Sequence, residues 1–235
     1  MPVISEERKV LQGRGLGEQE NYKPWILTRE LNSIGTTANG IDWKHGRAIQ
    51  LLSGAEEMYY YALRWDDHVV DIREQYPLDL NETVKIAKRI HYRHPKNDKT
   101  HMTTDLYVTY DDGTYGAFSV KYSRKDVDCT LASTEEERKK VKRTAQKLAI
   151  EKLYWLEKGV KFNLVFREDL PPVYVDNIRR AVTYFRPETV HDRISCVKHL
   201  IATKQIKVDM FSELDYNRIA TQYLKGGFCG GYITD

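Results

Sequence analysis

Asp105 and Lys121 stand on either side of a short turn in the stretch His101–Tyr122, HMTTDLYVTYDDGTYGAFSVKY. An acid can hold a hard divalent cation through oxygen, and an ammonium group can sit against the anion that such a cation polarises. The run Ser119-Val120-Lys121 adds a hydroxyl and a backbone carbonyl next to that ammonium. Together these are the parts of a metal-assisted hydrolysis. Asp and Lys at such spacing arise often by chance, so the elements that carry them have to decide.

The stretch reads as a β-hairpin. An alternating segment around Asp105–Tyr110 meets a turn at Asp111-Asp112-Gly113, and a second alternating segment, Tyr115–Tyr122, leads away. About that turn Asp105 and Lys121 come close to opposite one another on adjacent strands. The spacing resembles the D-x(n)-[DEQS]-x-K pattern of metal-dependent nucleases, with Ser119-Val120-Lys121 as its second half.

A helix is predicted from Ser53, where Ser53-Gly54-Ala55-Glu56 makes a capping box ahead of EEMYYYALRW. Glu56 has two readings: a replaceable cap, or a carboxylate projected into a site shared with the hairpin. Val69–Gln75 reads as a strand, and a polar insertion, Asp79–Thr100, leads into the hairpin. Ser133 then opens a long helix with a box to Glu136, an apolar stripe of Val141, Leu148, Ala149, Leu153 and Leu156, and Gly159 just past its end. Glu151 falls on a neighbouring face, where spacing alone makes it a surface acid. Lys161–Arg167 is short and apolar enough for a central strand. The order helix, strand, strand, strand, helix, strand implies a mixed sheet between helices, as in restriction-endonuclease-like cores.

The first fifty residues read as irregular. An arm carrying Arg14, Lys23 and Trp25 either wraps the core or a partner, or lies on DNA. Leu170-Pro171-Pro172 marks a boundary, which divides the chain into 1–169, an endonuclease-type domain with its arm, and 170–235. Helices are expected at Val173–Phe185, Glu188–Thr203 and roughly Glu213–Leu224, followed by the glycine-flanked GGFCGGYITD as a terminal hairpin. The fold class is therefore α/β, a mixed-sheet core with a small, mainly helical, winged-helix-like C-terminal domain. His191 and His199 lack an acidic companion at ligand spacing and read as surface or interface residues.

A chain of 235 residues fits one ordinary domain plus a small second one, and 41% hydrophobic with 30% charged residues excludes overall disorder. The formal charge of +3 permits nucleic-acid binding without requiring it. Basic residues cluster at Lys85–Lys99 and Arg138–Lys147, flanking the hairpin, where they make either a solvated face or a phosphate-facing surface. No apolar run approaches the roughly 20 residues needed to span a bilayer. The N-terminus lacks a signal-peptide layout, and Cys129, Cys196 and Cys229 are too scattered for a disulfide frame or a zinc site. These features point to an intracellular chain without a membrane partner.

Over nearly its whole length the sequence resembles the TnsA endonuclease subunits of heteromeric transposases. The resemblance is carried by GRGLG with YKPW (Gly13–Trp25), GRAIQLLSGAE (Gly46–Glu56), WDDHVVDIREQYPL (Trp65–Leu78), TTD (Thr103–Asp105), FSVK (Phe118–Lys121) and KLAIEKLYW (Lys147–Trp155). It implies a catalytic set of Glu56, Asp105 and Lys121. Mg²⁺, with Mn²⁺ able to substitute, would be held by Glu56, Asp105 and the backbone carbonyl of Val120, with Glu151 as a further candidate. It further implies cleavage of the 5′ strand at transposon ends, transposon-end DNA as substrate, and a TnsB-type transposase and a TnsC-type ATPase regulator as partners. The setting would be the bacterial cytoplasm, at the nucleoid. Ser119 departs from the family, which often has Gln two residues before the lysine; serine is the shorter and weaker ligand. Rival readings are a stand-alone restriction or repair endonuclease and a non-catalytic assembly subunit.

Overall fold

The computed structural model describes residues 4–30 and 38–224. Its helices are α1 (Glu6–Leu11), α2 (Gly54–Trp65), α3 (Leu80–Arg89), α4 (Glu135–Glu157), α5 (Pro172–Val182), α6 (Arg193–Ala202) and α7 (Tyr216–Tyr223). Its strands are β1 (Ala38–Ile41), β2 (Ala48–Leu51), β3 (Val69–Pro77), β4 (Thr103–Tyr110), β5 (Tyr115–Lys121) and β6 (Lys161–Phe166). The chain divides into two compact units at Asp169/Leu170.

The first unit is built on a mixed sheet in the order β3-β4-β5-β6, antiparallel between β3, β4 and β5 and parallel between β5 and β6. The β4–β5 hairpin closes where Gly113 takes a left-handed φ of +79° with open space around the missing Cβ, and Asp112 accepts the Thr114 amide at 2.9 Å. Alternation then sorts the hairpin's side chains. Tyr107 and Ala117 pack with Ile86, Ala87, Ile150, Tyr154 and Trp155 from α3 and α4. Leu106, Val108, Phe118 and Val120, also buried, take the other face of the sheet, where α2 lies. This is the mixed-sheet, restriction-endonuclease-like arrangement expected.

Several local expectations are corrected. The polar insertion after β3 contains a helix, α3, capped where Asp79 accepts the Glu82 amide at 2.9 Å. Its charged residues occupy the solvated face and conceal a short stripe that buries Ile86 and Ala87. β6 is an edge strand and not a central one, with half-exposed side chains along most of its length. The box of α4 is Thr134–Glu137, one residue later than predicted. The first fifty residues are not irregular throughout, since α1 and the antiparallel pair β1–β2 lie there.

The arm wraps its own core. Arg14 is buried and donates to Trp25 O at 3.2 Å and to both Glu30 oxygens at 2.8 and 2.6 Å. Trp25 is buried as well, and its amide donates to Gln75 O at 3.3 Å. Neither side chain is available to lie on DNA.

The second unit is helical. α5 and α6 bury Val175, Ile178, Ala181, Val197, Leu200 and Ile201, and Asn177 ties the segment after α6 by donating to Met210 O and Ser212 O at 3.0 and 2.8 Å. Asp192 and Asp215 cap α6 and α7. The terminal hairpin expected at 226–235 lies outside the described residues. Among the described residues no helix is long and apolar enough to cross a membrane.

Candidate active site

Asp105 sits just beyond the part of β4 that pairs with β5. The last rung joins Leu106 to Phe118, and continuing that register sets Asp105 against Ser119, two residues short of Lys121. The distance is closed by the long lysine side chain. Lys121 Nζ donates to Val120 O at 2.8 Å and to Ser119 Oγ at 3.2 Å, and lies 3.4 Å from Asp105 Oδ2. The Val120 amide donates to the same Oδ2 at 2.7 Å, and Ser119 Oγ stands 3.4 Å from it. All three contacts fall on one oxygen. Asp105 Oδ1 accepts no hydrogen bond among the described residues.

Two further acids flank Asp105 from different helices. Glu56 opens α2, and Ser53 accepts its backbone amide at 3.1 Å, as a cap should. The glutamate carboxylate does not complete the reciprocal box. Its Oε2 accepts from the Leu52 amide at 2.9 Å and from Gln75 Nε2 at 3.1 Å, and its Oε1 accepts from Ser53 Oγ at 3.0 Å. Glu151, on α4, is only 4% exposed and accepts from Thr104 Oγ1 at 2.7 Å, while Trp155 Nε1 donates to that hydroxyl at 2.6 Å. Spacing alone made Glu151 a surface acid. Docking of α4 on the sheet buries it against Thr104 instead.

Electrostatics follow from this crowding. Burial, and then the charge of Asp105, push the carboxyls of Glu56 and Glu151 each up to about 8. Burial alone would lower Lys121, but Asp105, Glu151 and Glu56 outweigh it and raise its pKa, so the lysine is a cation at neutral pH. The site thus holds excess negative charge that protons relieve when nothing else does.

A cavity of about 560 Å³ opens over this cluster. Asp105, Lys121 and Glu151 line one side, and Lys9, Arg143 and Lys147 bring positive charge to its walls. The second predicted basic cluster therefore contributes to the cavity. Glu56 is not one of its lining residues; it approaches Asp105 from the α2 side. Among the described residues no three of His, Cys, Asp and Glu form a ready metal nest.

The donor set nonetheless fits a hard cation. Hard carboxylate oxygens are what Mg²⁺ takes, Asp105 keeps one oxygen unengaged, and a divalent ion would offset the charge that now raises two neighbouring pKa values. The Val120 carbonyl already accepts from Lys121 but has a second lone pair. Sequence reasoning gave no role to Gln75, Thr104 or Trp155. Gln75 stands inside the quoted DIREQYPL run, and a glutamine in an otherwise buried strand was the available signal.

Residues 66–166 match the family model described as TnsA-like endonuclease N terminal. Asp105, Lys121 and Glu151 fall inside that segment, and Glu56 precedes it. The chain is also similar to the "Transposon Tn7 transposition protein TnsA" of Escherichia coli, 31% identical over 173 residues, which covers 73% of this chain and 59% of that protein. The chain thus spans about three-fifths of the relative's length.

Proposed function

We propose, for a chain whose residues 66–166 match the model of the TnsA-like endonuclease N-terminal domain, that it is the DNA-cutting subunit of a transposase. Its substrate is transposon-end DNA, and it cleaves the 5′, non-transferred strand with Mg²⁺. A TnsB-type transposase processes the other strand, and a TnsC-type ATPase regulates the assembly. The C-terminal unit is the segment we assign to contacts with that regulator. The observation that carries the nuclease reading is the convergence on Asp105: one oxygen is held by Val120 N and Lys121, the other accepts no hydrogen bond among the described residues, and the residue lines a cavity that Arg143 and Lys147 also line.

Asp105, Glu56 and the Val120 carbonyl would hold the cation, with Glu151 as a further candidate ligand. Bound there, Mg²⁺ supplies a lowered pKa for water and charge relief at the scissile phosphate. The protein's own groups do the rest. Lys121 is a cation whose three N–H donors already meet Val120 O, Ser119 Oγ and Asp105 Oδ2, so it exchanges one of these contacts, the long one to Asp105, to act on a phosphate oxygen or water, and it does so as a cation and not as a general base. Val120 N and Ser119 fix the Asp105 carboxylate, which keeps Oδ1 turned to the same place. Lys9, Arg143 and Lys147 attract the phosphate backbone without reading sequence. Ser119 contributes to this network by hydrogen bonding, which is compatible with a working site.

The test is strand-mapped cleavage of end-labelled transposon-end DNA with Mg²⁺, with and without the partner transposase. Cuts confined to the 5′ strand support the reading. Cuts without the partner support a stand-alone nuclease, and a partner that works on its strand while no 5′ cut appears makes this chain a structural subunit.

A further inference from the structure

Gln75 is 2% exposed, and among the described strand residues it is the one non-glycine with a left-handed backbone, φ +50°. Such a conformation is strained for a side chain with a Cβ and persists only where its surroundings enforce it. The distortion has a visible result. Glu74 pairs with Leu106 and Tyr76 with Thr104, but the rung between them, Gln75 with Asp105, is missing.

The strand also changes face at this point. Arg73 and Tyr107 are register partners and share a side of the sheet, and Tyr76 joins that side by stacking on Tyr107 with centroids 4.6 Å apart. In regular alternation Tyr76 would lie opposite Arg73. Glu74 keeps to the other side, where Arg47 holds both its oxygens at 2.6 and 2.7 Å. The switch falls on Gln75, and its side chain lands between the proposed metal-holding elements. Nε2 donates to Glu56 Oε2 at 3.1 Å, and Oε1 accepts from Thr103 Oγ1 at 3.2 Å, on the strand that carries Asp105.

We infer that Gln75 is a positioning residue of the nuclease site, whose amide clamps the Glu56 carboxylate to the Asp105 strand so that both acids face one cation. This rests on the reading of Glu56 and Asp105 as the cation-holding pair. An amide suits the place better than an acid: it donates to the carboxylate without adding a charge to a cluster that already has too many. The left-handed kink aims the amide there, and its cost is the unpaired rung beside Asp105.

The experiment uses the full chain with Gln75→Ala, Gln75→Gly, Gln75→Glu and Glu56→Gln, plus the doubles of Gln75→Gly and Gln75→Glu with Glu56→Gln. Calorimetry measures the Mn²⁺ Kd, and cleavage of labelled transposon-end DNA with the partner transposase gives kcat and KM. Gln75→Gly relaxes the backbone while removing the amide, and Gln75→Glu keeps the shape while losing the donor, so these two carry the test if Gln75→Ala does not fold. The expected result is a roughly 10-fold weaker metal Kd and a kcat lowered about 10- to 100-fold, the usual effect of losing a partner that orients a metal ligand. KM for DNA stays within about 2-fold, and each double falls no further than Glu56→Gln alone. A Gln75→Gly protein with wild-type Kd and kcat overturns the inference, and so does a loss that adds in full to that of Glu56→Gln. Wild-type protein that neither binds Mn²⁺ nor cuts overturns the nuclease reading itself, a separate outcome.

Discussion

The Val120 amide donates to Asp105 Oδ2 at 2.7 Å across the hairpin, at the first position beyond the last paired rung. That bond turns a strand acid into an oriented one. It spends a backbone donor, lost to the ladder in any case, on a single carboxylate oxygen and leaves the other for a ligand.

Asp105→Asn keeps an oxygen for Val120 N and changes little volume. The expected outcome is a melting temperature within a few degrees of wild type and cleavage lowered by at least about 10³-fold, because the metal-holding charge is gone. Glu56→Gln should behave alike, with a somewhat larger effect on stability because Glu56 is buried and held by donors on both oxygens. Cleavage assays and melting curves on the same preparations check both.

Lys121→Met separates charge stabilisation from metal binding. Removing a cation 3.4 Å from Asp105 should not weaken Mg²⁺ affinity, while kcat should fall by about 10²- to 10³-fold, the scale of losing one positioned donor at a developing charge. A variant that loses metal and activity together would make Lys121 a structural partner of Asp105 alone.

The pH dependence of the metal-free protein has a definite sign. Glu56 and Glu151 keep protons to about pH 8 in the folded chain, against an ordinary glutamate value of 4.5 when unfolded. Between those limits the folded state binds more protons, so stability falls as pH rises. Burial sets both shifts first, the charge of Asp105 adds to each, and Lys121 opposes it. The melting temperature without metal should drop between pH 5 and pH 8, Glu151→Gln should flatten that slope, and excess Mg²⁺ should recover most of the loss at the upper end. A melting temperature that climbs across this window contradicts the burial of the two acids.

Much of this site was legible in the sequence because its carriers obey local rules. The Asp-Gly turn and strict alternation announce the hairpin, and Ser53 ahead of Glu56 announces the helix start. What was not legible depends on tertiary placement. Glu151 is one acid among many on a charged helix, and only docking of α4 on the sheet buries it against Thr104. Gln75 carries no signal of its kink in the sequence, since a left-handed residue inside a strand violates the period from which strands are read. α3 is hidden in the sequence because its lysines and arginine break up a short apolar stripe, and β6 reads as central because its hydrophobicity exceeds its burial.

The cationic walls make a prediction about DNA and not about chemistry. Arg143→Glu and Lys147→Glu should raise KM for transposon-end DNA and reduce the salt dependence of binding by about one unit of log–log slope each, with kcat at saturation little changed. Filter binding across a salt series, run beside the cleavage assay, measures both. Unchanged slopes would place the DNA on another face.

The most direct measurement is a calorimetric Mg²⁺ titration of the wild-type chain and of Asp105→Ala, each in two buffers of different ionisation enthalpy. The expected result is binding to the wild type with release of protons from the Glu56–Glu151 cluster, and loss of both binding and proton release in the variant. Equal binding by the two proteins would contradict the assignment of Asp105 as the acid that holds the catalytic cation.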